Sequence, residues 1–159
     1  MIKRQSKLKK ALYTLLLVLL VSPSFSEDFE LGGLYTYHYH DGRYADWGDY
    51  ARISALMAIE DINDSELLGH NDRLNMSPEN LIDYHCWPSN AAVMAETLIK
   101  KNILILTGTD CSSPAVEIAK VASKYKIPVI SNGANASSLS SKENYPWFIR
   151  VVTPSEEYD

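Results

Sequence analysis

Apolar and polar positions along this chain change period in a regular order. "FELGGLYTYHY" is rich in aromatic and apolar residues and predicts a strand over about Glu30 to Tyr37. "DYARISALMAIEDIN" predicts a helix whose apolar face is built from Ile53, Leu56, Met57, Ala58 and Ile59, starting near Gly48 or Asp49. "NLIDYHC" predicts a second strand, and "PSNAAVMAETLIKK" a second helix with Pro88 near its start and Lys100 and Lys101 at its end. The continuous apolar run "NILILTG" suits a strand covered on both faces. "SPAVEIAKVASKYK" predicts a third helix, with Ser113 as N-cap, Pro114 at the first helical position and Lys124 and Lys126 in the last turn. "IPVISN" and "WFIRVVT" predict two further strands, separated by the polar loop "GANASSLSSKENYP".

Strands alternating with helices in this way predict an α/β fold with a doubly wound parallel sheet, of flavodoxin-like order 2-1-3-4-5. Ligands of such sheets bind outside the carboxyl ends of the strands. Attention therefore falls on three loops: "HDGRYADWGD", "TGTDCSSP" and "SNGANASS". The last two are dense in hydroxyl and amide groups. With the N-terminus of the third helix they offer neutral donors and acceptors suited to an anion such as a carboxylate. Trp47 in the first loop reads either as a pocket wall or as a residue packed on its own domain's edge. If Ser113 is the cap, Ser112 is left to face the rim.

The N-terminus lies outside this pattern. Residues 1–26 hold five of the 15 Lys+Arg and none of the 20 Asp+Glu, followed by the apolar run "ALYTLLLVLLV" and then "SPSFSEDF". This is the layout of a secretory signal peptide cleaved after Ser26. An uncleaved anchor is the other reading, but the run is short of the ~20 residues a spanning helix needs. The remainder, 27–159, carries ten basic against twenty acidic groups, a net charge of −10, which argues against nucleic-acid binding. The expected location is therefore periplasmic or extracellular. Ending at "VVTPSEEYD", the chain reads as one lobe of something larger.

Export changes the view of the two cysteines, Cys86 and Cys111, since an oxidising compartment makes a disulfide the default for a pair. The predicted strand order brings both to one carboxyl rim, within reach of a bridge. A nucleophilic Cys111 would have to be free. A nucleophilic Ser112 would need a base, and the G-x-S-x-G elbow is absent. The loop also lacks the lysine of a phosphate-binding loop. Of His38, His40, His70 and His85, the first two lie two apart on one strand face, but no third metal ligand has suitable spacing, and a surface pair is the simpler reading. No cofactor is implied. Sequons occur at Asn63, Asn75 and Asn135, and a glycan on Asn135 would block the rim.

Four segments carry a resemblance: "ADWGDYARISALMAIEDIN", the interval from Cys86 to Cys111, "CSSPAVEIAKVASKYKIPVISNGANASSLSS" and "YPWFIRVVTPSE". In order and spacing they resemble the type I periplasmic binding proteins, particularly the leucine and branched-chain amino-acid binders, whose fold also serves as the extracellular ligand-binding region of receptors. The resemblance implies the N-terminal lobe of a Venus-flytrap fold and no enzymatic activity. It implies that Trp47 lines a side-chain pocket and that Cys86 and Cys111 form the family's disulfide. Ser112 then holds a ligand α-carboxylate, and Gly133, often alanine in the family, offers its backbone to the head group. Asn135 stands where the family usually has threonine; its amide can both donate and accept. The implied function is delivery of an amino acid or analogue to an ABC-type membrane transporter. The alternative is sensing as part of a membrane receptor or fused signalling module, and a remote one is a secreted hydrolase using Cys111 or Ser112.

Overall fold

The computed structural model describes residues 27–69 and 71–155; residues 1–26, His70 and 156–159 lie outside it, and with them the expected signal peptide. The described elements are strands β1 (Asp28–Tyr35), β2 (Arg73–Asn75), β3 (Leu81–Asp83), β4 (Ile105–Gly108), β5 (Val129–Ser131) and β6 (Phe148–Arg150). Between them run helices α1 (Asp46–Asp64), α2 (Pro88–Ile99) and α3 (Ser112–Tyr125).

Every strand pairing is parallel. β3, β1, β4, β5 and β6 lie side by side in that order, which is the order the sequence predicts. β2 is an addition. It pairs with Asp28–Glu30 at the start of β1, while β3 pairs with Gly33–Tyr35 at its end. The second edge is thus one path along β1, interrupted by a short 3-10 turn at Pro78–Asn80. β1 also begins at Asp28 and ends at Tyr35, two residues short of the predicted Tyr37, because Tyr37 and His38 give their backbone N–H groups to the Asp83 carboxylate.

Strand periodicity sorts the core into two faces. Leu34, Leu106 and Val129 point into a large cluster with Ala91, Ala95 and Leu98 of α2 and Ala115, Ile118 and Ala122 of α3. Leu31 and Tyr35 point to the other face, where Ala51, Ala55, Leu56 and Ile59 of α1 pack. Right-handed crossovers require this division: the chain moves one way from β1 to β3 and the other way from β3 through β6. Among the described residues only α1 covers the second face. An open apolar groove of about 670 Å³ lies there between Ala51, Ala55 and Ala58 of α1 and Ile105, Ile130 and Val151. Among the described residues no helix is long and apolar enough to cross a membrane.

Two helix starts differ from expectation. α1 begins at Asp46, earlier than Gly48 or Asp49, because Gly48 packs on the end of β1 from inside the first turn. A Cβ at Gly48 would lie 1.7 Å from the Thr36 carbonyl oxygen. α3 begins at Ser112, so Cys111 is the N-cap residue, Ser113 is not, and Pro114 is the third helical position. The first helical hydrogen bond, from Ala115 N–H to the Cys111 carbonyl, sets this start. Cys111 is held extended because its own N–H donates to the Tyr84 hydroxyl at 2.9 Å. Proline is harmless in the first turn, where N–H groups lack intrahelical partners.

Candidate functional site

The parallel register aligns Tyr35, Asp83, Gly108, Ser131 and Arg150 as the last residues of their strands, so the loops that follow share one rim. The loop after β4 turns sharply through two left-handed residues, Gly108 (φ 92°) and Thr109 (φ 62°), before entering α3. Its base is fastened from three sides. Thr36 N–H donates to Asp110 Oδ2 at 3.1 Å. Ser131 Oγ donates to the Thr109 carbonyl at 2.8 Å and accepts from Ala134 N–H at 3.0 Å. Cys111 is joined to Cys86 by a disulfide, with Cα atoms 5.7 Å apart. The bridge links the loop after β3 to the start of α3 across the end of β1, and neither thiol is free.

Ser112 stands at the first position of α3 and is half-buried. Its hydroxyl accepts from Ala136 N–H at 3.1 Å and faces Asn135 Oδ1 at 3.4 Å. Asn135 is exposed, and its backbone carbonyl accepts from Ser155 N–H at 2.9 Å. Arg150 Nη1 donates to the Ala136 carbonyl at 2.9 Å and steadies the same loop from below. Gly133 lies against Asp110: a Cβ there would be 2.8 Å from the Asp110 carbonyl oxygen. The structure therefore brings Ser112, Gly133 and Asn135 together in one shallow surface beside the α3 N-terminus.

Trp47 sits on the neighbouring loop, half-buried in the first turn of α1. Its indole N–H donates to the Tyr39 hydroxyl at 3.1 Å, the two rings are 6.2 Å apart, and Arg43 stacks over Tyr39 at 5.2 Å. Trp47 thus belongs to an aromatic wall with Tyr39, and its polar contact goes to that wall.

His38 and His40 do not act as a pair. His38 Nδ1–H donates to Asp83 Oδ2 at 3.0 Å, and His85 Nδ1 lies 3.4 Å from the same oxygen and 3.1 Å from the His38 carbonyl. His40 instead meets the edge of the Trp87 ring at 5.3 Å. The strand that would have put His38 and His40 on one face ends at Tyr35, before either of them.

Two residues that sequence reasoning passed over shape the rim. Asp110 is only 8% exposed, and burial pushes its carboxyl up to about 6. Thr36 N–H and the nearby Asn132 side chain oppose that shift, yet Oδ1 has no hydrogen-bond partner among the described residues. Tyr84 is fully buried, and burial, aided by the Asp110 charge, pushes its hydroxyl well above the usual range. Asp110 was visible as the one ionisable side chain besides the thiol in "TGTDCSSP"; Tyr84 was hidden as an ordinary aromatic in an apolar run.

Chemically, the surface offers a hydroxyl, an amide and the first N–H groups of a helix, a set that suits an oxyanion. The comparisons agree with a binding role. Residues 51–158 match the family model described as "Receptor family ligand binding region". Among curated proteins, "Glutamate receptor 3.1" of Oryza sativa subsp. japonica is 28% identical over 114 residues, covering 69% of this chain and 11% of that receptor. The chain thus spans a small fraction of that relative's length. The family match takes in well over half of the chain, and the parallel sheet, its strand order and its flanking helices are those of a type I periplasmic-binding lobe, so the chain belongs to the family of receptor ligand-binding regions.

Proposed function

We propose that this chain is the first lobe of an exported ligand-binding region and that it holds a small polar ligand carrying a carboxylate, an amino acid of branched-chain type or a close analogue. The observation that carries this reading is Ser112: a half-buried hydroxyl at the first position of α3, beside Asn135, on the carboxyl rim of a parallel sheet. The carboxylate accepts from Ser112 and from the leading N–H groups of α3, the Gly133 backbone and Asn135 face the head group, and the Trp47–Tyr39 wall takes the side chain. Export rests on residues 1–26.

Holding without chemistry is favoured by the state of the candidate nucleophiles. Cys111 is consumed in a disulfide. The Ser112 hydroxyl has an amide oxygen and a backbone N–H as partners, and neither is a base. Sensing, as part of a membrane receptor, is preferred over delivery to an ABC-type transporter, because the matched family and the rice relative are both described as receptors.

The test is calorimetry of a form carrying both lobes against a panel of amino acids, their amides and short organic acids. Acids should bind and amides should not. Ser112→Ala should weaken the best ligand by ~1.5–3 kcal/mol, the range for one hydrogen bond to a charged group. Unchanged affinity in Ser112→Ala removes this serine from the site and the proposal with it.

A further inference from the structure

The loop that carries the proposed carboxylate site has a carboxylate buried at its base, held by Thr36 N–H. Asp110 lies two residues before Ser112 and one before the α3 N-cap, with its own peptide against Gly133. It is nine-tenths buried, with Oδ2 on Thr36 N–H, and among the described residues Oδ1 has no hydrogen-bond partner. Among the described residues, the groups shown to face it carry no positive charge. β1 contributes Tyr35 and Thr36, the loop after β3 contributes Tyr84, and the loop after β5 contributes Asn132 and Gly133. Arg150, the nearby cation of β6, is spent on the Ala136 carbonyl. A negative charge buried without a counter-ion acts over a longer range than one in water. It opposes the positive end of the α3 dipole, on which an anion depends.

We infer that Asp110 is a specificity-determining residue of this rim: while ionised it favours ligands that carry an ammonium beside their carboxylate and disfavours simple anions. The inference rests on the binding reading above. An anion held at Ser112 adds a second negative charge near Asp110, with nothing to balance either. A zwitterion brings its own cation, which offsets ligand and Asp110 charges together. Protonating Asp110 removes the distinction, as does replacing it with a neutral residue of the same shape.

The experiment compares L-leucine with 4-methylpentanoate, the same skeleton without the ammonium, on the full chain at neutral pH. Binding is read from the backbone amide signals of Ser112 and Ala136 in two-dimensional NMR spectra. Asp110→Asn keeps an oxygen for Thr36 N–H and removes the charge. It should tighten 4-methylpentanoate and leave L-leucine unchanged or weaker, moving the ratio of their affinities by roughly tenfold. A purely structural role would shift both ligands in one direction and leave the ratio alone, and that result overturns the inference. In the unaltered protein, 4-methylpentanoate should raise the pH at which the Asp110 carboxyl 13C signal titrates, and L-leucine should raise it less or lower it. Equal displacement by the two ligands also overturns the inference, even if Asp110→Asn fails to fold. If neither ligand moves the Ser112 or Ala136 amide, the binding reading itself fails and takes the inference with it.

Discussion

Asp110→Asn should make the unliganded protein more stable at neutral pH, and the size of the gain follows from the burial of Asp110. Its carboxyl titrates near 6 in the folded chain, against a reference value of 3.8, with burial as the largest cause. Folding therefore raises this acid's affinity for a proton, the reverse of the usual salt-bridged aspartate. Between about pH 4 and 6 the native state holds a proton that the unfolded chain has lost, so stability falls as pH rises through that window. Above it the penalty is constant. Two pH units correspond to ~3 kcal/mol, an upper figure because local opening would admit water. Asparagine pays no such penalty and still offers an oxygen to Thr36 N–H. Urea unfolding followed by circular dichroism, at steps from about pH 4 to pH 8, gives both curves. The variant should match the unaltered protein at the acid end and exceed it by up to ~3 kcal/mol at the neutral end. A variant that is less stable at neutral pH, or whose advantage does not change with pH, would refute the reasoning.

Other perturbations read other parts of the rim. Replacing both Cys86 and Cys111 by alanine opens a loop of sequence separation 25 and should cost ~3 kcal/mol, seen as a lower urea midpoint; the midpoint of the variant should also be insensitive to reductant. Gly133→Ala forces a methyl to 2.8 Å from the Asp110 carbonyl and should destabilise by ~1–3 kcal/mol; an unchanged midpoint would show that this loop yields freely. Asp83 accepts the backbone N–H groups of Tyr37, His38 and His85 at 3.0–3.1 Å, so Asp83→Ala should cost ~2–4 kcal/mol and speed amide exchange at those three residues.

How much of this was legible beforehand depends on the range of the interaction that decides each feature. Helices and strands are written in local periodicity, so α2, α3 and β4 to β6 were readable, and the strand order followed from crossover rules. β2 was not readable, because three residues with one half-buried leucine have no period; they are strand only because β1 offers them a free edge, and because Asn63 on α1 takes both backbone groups of Leu74 at 2.8 Å. Ser113 looked like the cap because Pro114 follows it, but a contact from Tyr84, 27 residues upstream, moved the cap to Cys111. Ser112 was pointed to by its place on the rim, Gly133 and Asn135 by resemblance alone, and their proximity follows from the register of β4 and β5. Asp110 escaped notice since its meaning lies in burial, which no local pattern records.

The same long-range contacts decide how the rim can behave. The loops after β1, β3, β4 and β5 are tied to one another by Thr36 to Asp110, Tyr84 to Cys111, Cys86 to Cys111, and Ser131 to Thr109 and Ala134. Thr36, Tyr84, Thr109 and Ser131 are fully buried, where an unmade hydrogen bond is costly, so the ties reinforce one another and open together or not at all. If Ser112 holds the ligand as proposed, it does so from this frame, which removes one of the usual entropic costs of binding. The Trp47 wall is built differently. Its ties are one hydrogen bond, a ring contact and the stacking of Arg43, whose charged end is largely exposed. On the proposed binding reading, head-group recognition is therefore the rigid part of this lobe and side-chain recognition the adaptable part. On that reading, substitutions at Tyr39 or Trp47 should change which ligand side chain is preferred, Asp110→Asn should change the preference between zwitterion and simple anion, and loss of the Tyr84 or Ser131 hydroxyl should change whether any ligand is held at all.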